Sequence, residues 1–271
     1  MNAIVYYSKP LKKVNGTLFY SFEYFVFLKQ YLPDLKFILM CADQADLEFF
    51  KTIFKDKYKF NHGLLNDFIL MTPIQFMSAN VKHIVIFDVH SYKHVQDYLG
   101  RTKTVFLYCN KPEGKPFLNQ NQRDTFYGWH ENYQFFNIKT RLKLYKEIHR
   151  TYPTKGNKIF ISSPNGDNIA VAKRLNIQLE DVYIKEPNKH HTSLFENINK
   201  IIYWHYGNND ANNRIIVEAN IHNIPIDVYT NGFNEDSIYD RKTLIENGRQ
   251  EEFFLDEDDV LIKDFIGVCG E

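Results

Sequence analysis

Glycine is scarce in this chain, 12 of 271 residues. Neither G-x-G-x-x-G nor a P-loop pattern occurs, which sets aside the common dinucleotide-binding and P-loop enzymes. Cysteine is rarer still. Cys41, Cys109 and Cys269 show neither paired spacing nor C-x-x-C, so neither a disulfide framework nor a zinc site is expected. The adjoining His190 and His191 have no further ligand nearby in sequence, and no metal is expected from them. Net charge is also missing, at +0, so no whole-chain field draws the protein to nucleic acid or anionic lipid. No apolar run reaches the length of a membrane span, and Met1–Tyr7 enters a strand rather than a signal peptide. The expectation is a soluble protein of a reducing cytoplasm, in a bacterium or a phage-infected host cell.

What the chain has in abundance is aromatic surface, 23 Phe and 18 Tyr, enough for a substantial core. Short apolar runs alternate with helical spacing from end to end. Expected strands are 3–7, 36–41, 67–71, 83–88, 104–109 and 125–128, then 158–162, 181–184, 200–204 and 226–229. Expected helices are 18–31, 45–54, 73–78, 93–99, 140–150, 168–175, 193–198 and 211–222. Strands that read as continuous apolar runs between helices argue for parallel sheets covered on both faces. The turn-rich stretch Thr151–Asn157 separates two doubly wound, Rossmann-like parallel-sheet halves, 1–152 and 153–271.

The segment from Asp210 to Gly232 is the most specific. Asp210 is suited to an N-cap, and Ala211 to His222 has helical spacing with Ile215, Ile216, Ala219 and Ile221 on the apolar side. Arg214 and Glu218 fall one helical turn apart. Pro225 ends the helix, Ile226–Tyr229 form a strand, and Asn231-Gly232 a turn. This order resembles the donor-binding segment of GT-B glycosyltransferases, above all the retaining family whose pattern is two glutamates with seven residues between them, then Ala, a small-residue turn and Pro-Val. Asp210 takes the first acid's place, Glu218-Ala219 the second acid and its Ala, and Pro225-Ile226 the place of Pro-Val. Asp replaces Glu at the first acid, and Asn213 and Asn223 stand where glycines are usual.

The resemblance implies two halves facing a cleft, with a nucleotide sugar such as a UDP-sugar as co-substrate and no metal. It places Asp210 on the transferred sugar, Glu218 on the ribose, and Arg214, Asn213 and the loop Ser162, Ser163, Asn165, Gly166 around the diphosphate. Relatives carry an Arg and a Lys after the corresponding strand; here Lys185 and Arg214 are the substitutes. In the first half, Asn15-Gly16-Thr17 opens a helix and can present N–H groups to a ligand. Asp88-Val89-His90 ends a strand, and His90 would serve as base or sugar contact, supported by Asp88. Asn110 stands where relatives have a histidine; it can hydrogen-bond a sugar but cannot act as a base. The tail 251–271 resembles the helix that in this architecture crosses back to the first half.

Two further patterns stand outside that resemblance. Lys139, Lys143, Lys146 and Arg150 are spaced to make one basic helix face, suited to a nucleic-acid backbone or simply to solvent. Asp256-Glu-Asp-Asp259 contains Asp-x-Asp in an acidic run, read as solvated charge. The expected function is sugar transfer to an acceptor the sequence leaves open: modified phage DNA bases, a glycan or a lipid. The alternative is a non-catalytic nucleotide- or sugar-binding or interaction protein on the same scaffold.

Overall fold

The computed structural model describes residues 1–8, 15–40, 42–109, 124–128, 138–152, 156–163, 167–184, 194–204, 214–229 and 253–270, without the side chains of 109, 124 and 139. The chain divides into two compact units. The first comprises Met1–Lys55, Phe60–Ile148 and Phe254–Glu271, and the second Asp56–Lys59 and His149–Phe253. The division falls slightly before the expected boundary, and the C-terminal helix groups with the first unit.

The first unit is a parallel sheet of β1 (Ala3–Tyr7), β2 (Lys36–Met40), β3 (Phe68–Met71), β4 (His83–Ile86), β5 (Thr104–Cys109) and β6 (Asp124–Gly128), extended by the two-residue β7 (Ile138–Lys139). Its order is β3-β2-β1-β4-β5-β6-β7. The direction of succession reverses between β1 and β4, the point where doubly wound sheets bind ligands beyond the carboxyl ends of their strands. Side chains alternate across each strand and both faces are apolar, which is why the strands read as unbroken apolar runs. Ala3, Val5, Ile38, Met40, Ile84, Ile86 and Val105 share one core cluster with residues of α3 (Pro73–Ser78) and α4 (Val89–Val95). On the opposite strand positions, Phe37 meets Phe25 of α1 (Gly16–Leu28) edge-on at 5.6 Å and stacks on Phe68 at 4.5 Å. Phe22 of α1 stacks on Phe54 of α2 (Gln44–Lys57) at 3.9 Å.

Helix α1 is buried all along its length after the first turn, so its polar residues need internal partners. Glu23 accepts the backbone N–H of Tyr145 at 2.7 Å, and the Tyr24 hydroxyl accepts that of Lys143 at 3.3 Å. These bonds explain a correction. The helix expected over 140–150 does not form, and only Lys146–Ile148 make a 3-10 turn. The N–H groups that a helix would use are taken by α1, while Leu144 makes a parallel bridge to Phe254.

Unit two holds β8 (Lys158–Ser162), β9 (Ile198–Trp204) and β10 (Ile226–Tyr229), parallel and in the order β10-β9-β8. The strand expected over 181–184 is reduced to a single parallel bridge between Ile159 and Val182. Helix α5 (Asn168–Arg174) covers one face through Val171 and Ala172. On the other face Leu194 and Phe195 of α6 (Leu194–Asn197) and Ala219 of α7 (Arg214–Ile221) join Phe160 and Ile201. Where the chain enters β8, Gly156 donates its N–H to Glu196 at 2.7 Å. A Cβ at that position would lie 2.1 Å from the Asn197 carbonyl oxygen, so only glycine fits.

Both α5 and α7 end on an asparagine in the left-handed region, Asn176 at φ 55° and Asn223 at φ 52°. After α7, Ile224 N–H reaches back to Ala219 C=O at 2.9 Å and Asn223 N–H to Asn220 C=O at 3.1 Å. That is a Schellman end, and asparagine fills the place more usual for glycine. The departure from the family pattern at Asn223 therefore keeps the turn.

The last helix, α8 (Val260–Gly270), is capped by Asp259, whose Oδ1 accepts from Leu261 and Ile262. Phe265 packs edge-on against Phe106 at 5.6 Å, and Tyr127 donates its hydroxyl to Asp264 at 2.7 Å. Asp256, Glu257 and Asp258 are exposed, as expected of solvated charge, but Asp259 is fully buried. Burial pushes its carboxyl above the ordinary value despite Lys143 at 3.7 Å. Among the described residues no helix is long and apolar enough to cross a membrane.

Candidate functional site

The Arg214–Glu218 pair anticipated from spacing is formed: Arg214 Nε donates to Glu218 Oε1 at 2.7 Å. A second cation, which the sequence did not reveal, converges on the same oxygen. Lys57 Nζ lies 2.9 Å from Oε1, and all three side chains are nearly closed to solvent. Arg214 Nη2 also donates to the Tyr58 hydroxyl at 2.9 Å. The Lys57 ammonium sits 5.6 Å from the Tyr58 ring centre and 5.9 Å from that of Phe195, within cation–π reach.

Histidines border this cluster. Tyr58 bridges to His149 through the backbone, and their rings meet edge-on at 5.2 Å. His222, just past the end of α7, stacks on Phe195 at 4.3 Å and lies 5.5 Å from Tyr152. Burial alone would raise the Glu218 carboxyl, but Lys57 and Arg214, with His149 adding, hold it well below the ordinary carboxylate range. Glu218 is thus charged at neutral pH and holds two buried cations, Lys57 and the Arg214 of α7's first turn. In a parallel sheet, a helix entered from β9 begins at the carboxyl edge, so Arg214 stands on the ligand side of the second sheet.

On the same edge, β8 ends in Ser162, and Ser163 Oγ bonds to Asn168 Oδ1 at 3.1 Å. Asp167 caps α5 through Ala170 N–H. Asn165, Gly166, Lys185, Asp210 and Asn213 lie outside the described residues, as does Asn110.

At the switch point of the first unit, the candidate residues divide by role. Asn15 is an N-cap: its side chain accepts from Leu18 N–H at 2.9 Å and from the Tyr6 hydroxyl at 3.4 Å. Gly16 is exposed with open space around it, and Thr17 is half-buried. Asp88 is buried and turned to Ser91, with Oδ1 taking its N–H at 2.6 Å and Oδ2 its hydroxyl at 2.7 Å. Ser91 Oγ in turn accepts Tyr7 N–H, which ties the end of β1 to the start of α4. His90 is exposed on α4. His94, one turn on, was not singled out from sequence; it stacks on Tyr7 at 4.1 Å and lies 4.6 Å from His90.

No family model, curated protein or solved structure matches this chain.

The basic set does not form the expected helix face. Lys143 is drawn to Asp256 and Asp259, Lys146 rests over the Phe254 ring at 5.1 Å, and Arg150 belongs to the second unit. For Lys139 only the backbone, in β7, is described. The expected helix is therefore corrected: only Lys146–Ile148 make a 3-10 turn, so the four residues do not share a helix face.

Proposed function

We propose that the protein is a GT-B-like glycosyltransferase that takes a nucleotide sugar on its second unit and an acceptor on its first. The observation that carries this reading is the return of the chain's last helix to the first of two parallel α/β units. The Asp210–Gly232 pattern, with Asn223 holding the helix end in place of glycine, supports it. The second unit would receive the donor at the carboxyl edge of β8 and β9. Arg214, named above as a substitute cation, and Lys57, which the sequence did not reveal, would supply positive charge beneath a departing diphosphate. Glu218 would keep both cations in place and, in the family's manner, meet the ribose through its second oxygen. Asp210 would face the transferred sugar, with the Ser162–Ser163 turn offering hydroxyls and N–H groups to phosphate. On the first unit, Asn15–Thr17 and His90 would meet the acceptor.

A thermal-shift panel of nucleoside diphosphates and nucleotide sugars tests this. Stabilisation by a nucleoside diphosphate, growing with concentration as RT ln(1 + [L]/Kd), is the expected result. Stabilisation without turnover on sugar, glycan, lipid or DNA acceptors would favour a binding protein. An unchanged melting temperature across the panel would reject the proposal.

A further inference from the structure

We infer that His90 and His94 form a two-histidine chelate for a divalent transition-metal ion at the switch point of the first unit. The two side chains stand at i and i+4 on α4, the spacing that places two imidazoles on one helix face. Their ring centres are 4.6 Å apart and their planes cross at 76°, so neither ring covers the other. One ion with bonds of about 2.0–2.1 Å to each ring can span that separation after small side-chain rotations.

Three surrounding features favour the site. Tyr7 stacks on His94 with planes 9° apart and meets His90 edge-on at 6.1 Å, which fixes the imidazole plane as an outer-shell partner would. The N-terminal end of a helix disfavours a cation, but here the Asp88 carboxylate sits at the cap and offsets that field. His90 is exposed and His94 half-buried, so an ion reaches the pair without opening the core. Two imidazole nitrogens suit Zn2+, Cu2+ or Ni2+ and exclude Mg2+ and Ca2+, which take oxygen ligands. Water would complete the coordination. The chelate shares His90 with the proposed acceptor side but does not rest on the transferase reading, because metal binding is read without nucleotide, sugar or acceptor.

The test is a Zn2+ titration of the full chain followed by histidine side-chain NMR, with His90→Gln and His94→Gln beside the wild type. Two imidazole signals should shift together within the first equivalent, ahead of the other histidines, and each should vanish in one variant. Losing one arm of the chelate should weaken Zn2+ binding about 100-fold. His90→Gln is the decisive variant because the residue is exposed, and its metal-free melting temperature should match the wild type. Unchanged Zn2+ affinity in His90→Gln, first shifts at other histidines, or no binding by the wild type would each overturn the inference.

Discussion

Replacing Glu218 with Gln should unsettle the second unit more than any other single change in its charged cluster. The Glu218, Lys57 and Arg214 side chains are only 5, 6 and 9% exposed, and the two cations share Oε1. Removing the anion leaves two positive charges buried side by side. Removing one partner of a buried pair costs about 3–5 kcal/mol, a large part of a typical domain's stability. Urea unfolding, followed by Trp204 fluorescence in a Trp129→Phe background, reads the loss in the unit that holds β9. The pH dependence has a definite sign. The folded carboxyl lies below its ordinary value, so its contribution is complete above about pH 4.3 and is lost as pH falls through the folded value. The gap between wild type and Glu218→Gln should therefore narrow below about pH 4. Replacing Lys57, Arg214 and Glu218 together with Met should recover most of the stability, because a neutral packed cluster carries no desolvation penalty. A loss under about 1 kcal/mol for Glu218→Gln would refute the reasoning, since the cations would then be stabilised by something other than this carboxylate.

Other positions give separate tests. Gly156→Ala must push the Asn197 carbonyl aside and should cost about 1–3 kcal/mol in chemical denaturation, with no cost refuting the close approach. Asn223→Gly should be nearly neutral, whereas Asn223→Ala should lose roughly 1 kcal/mol, because alanine lacks the short polar side chain that eases asparagine into the left-handed region. Asp259 has a raised carboxyl pKa, so the folded state binds its proton more tightly than the unfolded chain and stability falls as pH rises above the ordinary value. Asp259→Asn keeps the cap and should be as stable as wild type or more so at pH 7, the difference shrinking near pH 4. Asp259→Ala should lose about 1 kcal/mol relative to Asp259→Asn, measured by thermal melting.

Much of the architecture was legible because its signals are local. Runs such as Ala3–Tyr7 and Lys158–Ser162 alternate with helices that carry their own caps, and Arg214 with Glu218 met as their spacing required. What stayed hidden depends on residues distant in sequence. The periodicity of Lys139, Lys143, Lys146 and Arg150 was overridden by Glu23 and Tyr24, which bind the backbone N–H groups of Tyr145 and Lys143. A competing signal was present, since Leu142 and Leu144 alternate with Lys143 at strand period and both are buried. Lys57 ends an ordinary amphipathic helix, and nothing near it announces a partner at Glu218. Asp259 sits in an acidic run, and only the packing of α8 shows that one of those charges is a buried cap. His94 escaped notice because its meaning depends on Tyr7, which β1 brings beside it.

The most direct test of the donor-binding assignment is hydrogen exchange of the full chain with and without a saturating nucleoside diphosphate. Slowed exchange is expected at Ser162–Asn168 and around the start of α7 near Arg214, with β1–β3 unchanged. Protection confined to the first unit, or no protection at either segment, would contradict it.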